Sequence, residues 1–315
     1  MNEGRAVNGS DSTFRAFQAM GTRFECVLGA FAQPVPAADA ASIAESLEAI
    51  VRDEHRRLSV FDPASLLTEI NLRAAAQPIS IDPDLFALLD RCLRYADDTG
   101  HAFDITAGAL MHANGFRDDD HGTPLPVSGG AYRLDRRAMT IAFDAPGVSL
   151  DLGGIAKGYV LDLMHAELRE HHATSAIIHG GGSSVTAIGL APDGKPWRAR
   201  LLCDDPHAPT IDLTDRSLAC SSPSGRTVGG CGHIMDTRAG SSAAGADSAC
   251  VLGPSAEVCE VWSTALVVDP ALEDRLPDGY EAFVQTGGVW SHTVAHPSRV
   301  PCHEHHAHRK IPLHV

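Results

Sequence analysis

The stretch Asp151-Leu-Gly-Gly-Ile-Ala-Lys-Gly158 constrains the fold more than any other part of the chain. Residues 148–152 (Val-Ser-Leu-Asp-Leu) alternate apolar and polar as a strand does, and the residues from the glycines to about Glu170 suit a helix. Two adjacent glycines must therefore carry the backbone from one element directly into the other. Such a turn lets a ligand approach the main chain, offers the free N–H groups of a helix start, and adds the positive charge of Lys157. It suits a phosphate or a nucleotide edge, and it equally suits a purely structural turn. A second glycine run, Ile177-Ile-His-Gly-Gly-Gly-Ser-Ser184, follows an apolar strand. It lacks the G-x-G-x-x-G spacing of dinucleotide folds, so it reads either as a close backbone approach or as a hairpin bend.

Around these turns the periodicities predict an amphipathic helix over 38–58, with Ala44, Leu47, Ile50, Val51 and Leu58 near helical spacing. A second helix has Asp82 as cap, Pro83 at its first position, a stripe of Leu85, Leu88, Leu89, Cys92 and Ala96, and Gly100 at its end. Strands are expected at 175–179, 185–190, 197–203 and 248–252, and a last helix at about 256–267 behind Ser255. Strands interleaved with a few helices, outside regular βαβ order, predict an α+β fold. The expected organisation is a disordered N-terminus over 1–13, one domain over 14–290, and a His-rich flexible tail over 291–315 holding His292, His296, His303, His305, His306, His308 and His314.

Charge narrows the function. A formal net charge of −15 opposes sequence-independent nucleic-acid binding, and any bound polyphosphate needs a cation to offset the repulsion. No apolar run reaches the roughly 20 residues of a membrane span. Residues 1–12 lack the basic and apolar regions of a signal peptide, so a cytoplasmic location is expected. The eight cysteines include no Cys-x-x-Cys pair, which predicts reduced structural thiols.

Two further groups have chemical potential. Glu260 and Thr264 lie four apart on the last helix, so a carboxylate and a hydroxyl share one face, as suits an oxygen-loving cation such as Mg²⁺. The same pair also fits a solvated face with a back-bonded threonine. His233-Ile-Met-Asp236 and Ala102-Phe-Asp104-Ile-Thr106 place polar groups inside apolar stretches, where a histidine and a carboxylate can orient a nucleophile or contact a ligand.

In order, these segments resemble the ApbE-type FAD:protein FMN transferases from about Phe14 to Asp269. The resemblance is carried by Met20-Gly-Thr22, Leu58-Ser-Val-Phe-Asp-Pro-Ala-Ser65 leading to Asn71, Gly100 to Thr106, Leu150 to Tyr159 with Asp162, Gly180-Gly-Gly182, Asp193-Gly with Trp197, His233-Ile-Met-Asp236 and Ser263-Thr-Ala265. It implies mixed, largely antiparallel sheets packed by helices, with FAD in a cleft between two lobes. It also implies Mg²⁺-dependent transfer of FMN from FAD to a Thr or Ser hydroxyl of an acceptor protein, with release of AMP. Position by position, Met20, Phe61, Ala102, Phe103, Asp104, Asp151, Lys157 and Ile234 match FAD contacts. Gly154, through its carbonyl, and Glu260, Ser263 and Thr264 match the metal-binding positions. His233 and Asp236 are the candidates for accepting the hydroxyl proton.

The chain departs from the family pattern at several of these places. Glu260 stands where the family has Asp, and Ser183 follows the glycines where the family has Asn or Asp. Asp236-Thr-Arg-Ala-Gly240 replaces Asp-Pro-Arg-Thr-Gly, and Cys220-Ser-Ser222 replaces a Thr-Ser-Gly turn, with Cys220 expected to be a small buried thiol. The same cleft chemistry also fits an FAD pyrophosphatase giving FMN and AMP, or a flavin-binding protein without turnover.

Overall fold

The computed structural model describes residues 12–117, 132–200 and 210–295. Its frame is one sheet of eight strands: β1 (Thr13–Ala19), β2 (Thr22–Phe31), β3 (Ala173–Gly180), β4 (Ser184–Gly189), β5 (Ser217–Ser221), β6 (Ser248–Gly253), β7 (Glu281–Thr286) and β8 (Val289–Val294). Their order in the sheet follows the chain, each strand antiparallel to the next. The chain leaves this meander between β2 and β3 for α1 (Ala37–Leu58), α2 (Leu66–Arg73), α3 (Pro83–Asp98), α4 (Gly108–Ala113) and α5 (Ala156–Glu170). A small sheet of Ile79–Ser80, Thr140–Phe143 and Tyr132–Asp135 belongs to the same excursion. α6 (Ala256–Val268) joins β6 to β7.

Alternation along the strands puts an apolar layer on each face of the sheet. On β3, Ala176 and Ile178 join the main core with Leu47 of α1, Leu161 of α5 and Leu266 of α6. Ile177, Val185, Leu218 and Leu252 point the other way and pack on Ala199 and Leu213 of the hairpin Trp197–Arg200/Thr210–Leu213. The expected α+β class with largely antiparallel sheets is what the chain adopts. Among the described residues no helix is long and apolar enough to cross a membrane.

α3 and α6 begin where capping chemistry predicts. Asp82 accepts hydrogen bonds from the N–H groups of Asp84 and Leu85 ahead of Pro83, and Ser255 accepts from Val258 N–H. Gly158 faces the start of α6 so closely that a Cβ there would lie 2.4 Å from the Ala256 carbonyl oxygen. This approach brings the first turn of α5 beside α6, and with it Lys157 beside Glu260.

The expected strand at 148–152 is not in a sheet. Its backbone is paired instead by other groups: Asn71 donates to Leu150 O at 2.9 Å and accepts from Leu150 N at 2.7 Å, while Gly108 N donates to Ser149 O and Asp151 N to Ile105 O. A side-chain amide thus replaces a neighbouring strand, and burial does not follow the alternation, since Ser149 is as buried as Val148, Leu150 and Leu152. β8 also runs to Val294, into the segment expected as tail, with His292 stacked on Phe283 at 4.3 Å. The other tail histidines, and residues 1–11, lie outside the described residues.

Candidate functional site

A cleft of about 680 Å³ opens between the main sheet with α6 and the lobe built from the β2–β3 excursion. That volume is in the range that holds a nucleotide-sized ligand. Its apolar wall begins at the β1–β2 hairpin, whose two turn residues, Met20 (φ 49°) and Gly21 (φ 70°), both take positive φ as a type I′ turn requires. Holding a methionine in that conformation is unfavourable, a feature that gathers at ligand sites. Phe61 stands at the rim with 69% of its surface exposed, while Ala102, Phe103 and Ile234 line the interior from buried backbones.

Polar groups converge at the opposite wall. Asp151 accepts from Gly153 N–H at 2.8 Å and lies 3.6 Å from the buried Arg117 guanidinium. Asp104 accepts from the N–H and hydroxyl of Thr106 at 2.8 and 2.6 Å and from the Thr237 hydroxyl at 3.3 Å. α5 starts at Ile155 without a side-chain cap, and Lys157 in its first turn reaches Glu260 Oε1 at 3.0 Å.

Three of the four expected metal-binding residues meet here. Glu260 and Thr264 share the cleft face of α6, and a Cβ on Gly154 would lie 3.5 Å from Thr264 Oγ1, so that glycine abuts the threonine. Ser263 is fully buried behind them, hydrogen-bonded to the Glu260 carbonyl at 3.1 Å and to Ser221 Oγ at 2.8 Å. Glu260 is 4% exposed, and its Oε2 is buried with no hydrogen-bond partner. An ionised oxygen in that position is costly unless a cation completes it. Among the described residues there is no cluster of three or more His, Cys, Asp or Glu side chains suited to a metal. A carboxylate and a hydroxyl beside the Gly154 backbone offer hard oxygen donors, which fits Mg²⁺ completing its shell with substrate phosphate and water.

The two candidates for proton transfer part company. His233 lines the cleft, with Nδ1 3.2 Å from the Arg226 carbonyl. Burial, reinforced by the Lys157 and Arg226 charges, holds its pKa below the ordinary value, so the ring is neutral at pH 7. A carbonyl can only accept, so the ring donates to the Arg226 carbonyl, and the Pro223 carbonyl is a second backbone acceptor for the ring. Asp236 is absent from the cleft lining: its carboxylate accepts from Arg238 Nε at 3.0 Å and Nη2 at 3.2 Å and from Arg238 N–H at 3.0 Å. Burial raises its pKa, but the Arg238 hydrogen bonds and charge prevail and hold it below the carboxylate range. Its role in the fold is to close the short hairpin of Met235–Asp236 and Ser241–Ser242.

Sequence reasoning passed over His55, Met111 and Arg226, which also line the cleft. Arg226 donates to Phe116 O at 2.8 Å and lies over the Phe116 ring, and no spacing rule marks such a loop residue. Cys220, expected to be buried, is half-buried and lines the cleft.

The fold and the cleft define an α+β protein with a cleft of nucleotide size that is lined by the buried carboxylate of Glu260. The family model described as "ApbE family" matches residues 20–276, and the chain belongs to that family. Among curated proteins, the FAD:protein FMN transferase of Treponema pallidum is 27% identical over 266 residues, covering 74% of this chain and 73% of that protein. The Vibrio cholerae protein of the same name is 23% identical, with coverage of 56% and 53%. Of solved structures, the apo flavinyl transferase ApbE of Pseudomonas stutzeri superposes with a TM-score of 0.77 at 21% identity, over 92% of this chain and 96% of that one. An ApbE protein from Thermotoga maritima gives 0.76 at 22%, over 90% and 97%.

Proposed function

We propose that the chain is an FAD:protein FMN transferase, a Mg²⁺-dependent enzyme that passes the FMN half of FAD to a Thr or Ser hydroxyl of an acceptor protein and releases AMP. The observation that carries this reading is a buried carboxylate, Glu260, that lines the cleft beside Thr264 and Gly154 and has one oxygen, Oε2, without a hydrogen-bond partner, in a member of the ApbE family. Met20, Phe61, Ala102, Phe103 and Ile234 offer an apolar surface for the isoalloxazine. Asp104 and Asp151, each held by local donors, are positioned as acceptors for polar edges of FAD.

Glu260, Thr264 and the Gly154 carbonyl would hold the metal, with Ser263 supporting them from behind. When bound, Mg²⁺ neutralises pyrophosphate charge and polarises the phosphorus under attack. Lys157 supplies a second positive charge, which an acidic protein needs in order to take a pyrophosphate. The acceptor hydroxyl oxygen bonds to the phosphorus of the FMN half, and the bond from that phosphorus to the bridging oxygen breaks, leaving that oxygen on AMP. The hydroxyl proton goes to the neutral His233 ring, which lines the cleft. Catalysis of this kind is mostly positioning and electrostatics.

The test is intact-protein mass spectrometry of a Thr-containing acceptor domain incubated with the enzyme, FAD and Mg²⁺, with and without EDTA. An added mass equal to FMN that EDTA abolishes is expected. FAD left whole across several acceptors in the presence of Mg²⁺ would refute the assignment.

A further inference from the structure

The two oxygens of Glu260 have opposite surroundings. Oε1 receives the Ser184 hydroxyl at 2.5 Å and the Lys157 ammonium at 3.0 Å, while Oε2 receives nothing. Ser184 is 3% exposed, and its backbone is fixed on both sides, opposite Gly180 of β3 and Ala219 of β5. A hydroxyl has one proton to give. Ser184 gives it to Glu260, so in the 3.3 Å contact between the two serine hydroxyls Ser183 is the donor. The result is a chain from the cleft wall at Ser183 through Ser184 to the carboxylate. Lys157 is a flexible arm from another helix and is needed for charge at the cleft, whereas Ser184 is part of the rigid sheet.

We propose that Ser184 is a positioning residue for the metal ligand, pinning Glu260 Oε1 so that Oε2 alone is presented to the cation. The proposal rests on the metal-site reading above and adds a residue to it. A glutamate carries one more rotatable bond than an aspartate, and a carboxylate held only by the flexible Lys157 arm would be free to turn either oxygen into the site. A fixed donor on one oxygen removes that freedom before the ion arrives, as outer hydrogen-bond partners of metal ligands commonly do.

The experiment measures Mn²⁺ as the probe ion, by the electron paramagnetic resonance of free Mn²⁺, with FAD-loaded protein and no acceptor. Ser184→Thr keeps the hydroxyl, and Ser184→Val has nearly the shape of threonine without it. Ser184→Val is expected to weaken Mn²⁺ binding about 10–100-fold, in line with other outer partners of metal ligands, while Ser184→Thr retains wild-type affinity. Ser184→Ala, which removes the hydroxyl without adding volume, must behave as the valine variant does. FAD affinity in EDTA, read by flavin fluorescence, is expected to be unchanged in all three, which a general disturbance of the cleft would not allow. Equal Mn²⁺ affinity in the valine and threonine variants overturns the proposal. Glu260→Gln separates it from its foundation: wild-type Mn²⁺ affinity there refutes the metal site itself, whereas loss there with matched valine and threonine variants refutes only the role of Ser184.

Discussion

Glu257 and Glu260 lie three residues apart on α6 and are equally buried, each 4% exposed, yet they are built for different purposes. Both oxygens of Glu257 are occupied: Arg91 binds them in bidentate fashion at 2.6 and 2.7 Å, and the Tyr95 hydroxyl adds a third bond at 2.8 Å. That network ties α6 to α3 and gives each Glu257 oxygen a partner within the protein. Glu260 has one oxygen anchored and one bare. Burial alone therefore does not mark a functional carboxylate. A bare buried oxygen does not mark one by itself either, since Glu54 Oε2 is also buried without a partner; what sets Glu260 apart is that it lines the cleft beside Thr264 and Gly154.

The sharpest way to break this comparison is to neutralise each glutamate in turn. Glu260→Gln is expected to lower turnover by about a thousandfold, since a metal contributes several kcal/mol to charge stabilisation, while the thermal midpoint does not fall. A Glu260→Gln enzyme with normal turnover at limiting Mg²⁺ would remove the distinction. Glu257→Gln should do the reverse. It is expected to cost about 2–3 kcal/mol of stability in a denaturant titration, because Arg91 and Tyr95 lose their charged partner, with turnover per folded molecule unchanged. Lys157→Ala should have a smaller effect, weakening FAD binding about tenfold with little change in stability, the size expected for one charge-assisted contact. Equal FAD affinity by titration would count against it.

The smallest effect is one of pH, and it separates cleft from scaffold again. Burial lowers the pKa of His165 and of His179, half-buried outside the cleft, and of His233 within it, below the ordinary value of 6.5. Below that pH the unfolded chain binds more protons than the folded one, so stability is full above about 6.5 and declines as the pH falls toward the lowered folded values. Turnover should decline as well when His233 takes up a proton. His233→Asn is expected to reduce turnover and flatten its acid limb, and to leave the part of the stability slope due to His165 and His179. An acid limb in turnover that survives unchanged would exclude His233 as the proton acceptor.

Much of this arrangement was legible in the chain itself. The caps at Asp82 and Ser255 set α3 and α6 because capping depends on neighbours in sequence. The order of the glycine turns and polar segments pointed to the cleft. β1 and β2 were overlooked although Phe24, Cys26 and Leu28 alternate inward, because their turn is Met20-Gly21 and lacks the Asn-Gly or Asp-Gly signal. The strand expected at 148–152 failed for a reason no local pattern contains, the reach of Asn71 across the core to Leu150. The same holds at the site. Glu260 and Thr264 announce themselves by helical spacing, but the hydroxyl that anchors Glu260 comes from Ser184, 76 residues earlier, and only the folded sheet brings them together.

The central claim is that the cleft splits FAD and keeps the FMN half for a protein. Its most direct test measures AMP released and FMN bound to acceptor in one reaction, across a Mg²⁺ titration ended by EDTA. Equal amounts of the two, rising together with Mg²⁺ and ceasing with EDTA, are predicted. AMP that accumulates with free FMN and an unmodified acceptor would contradict the claim and make the enzyme a pyrophosphatase.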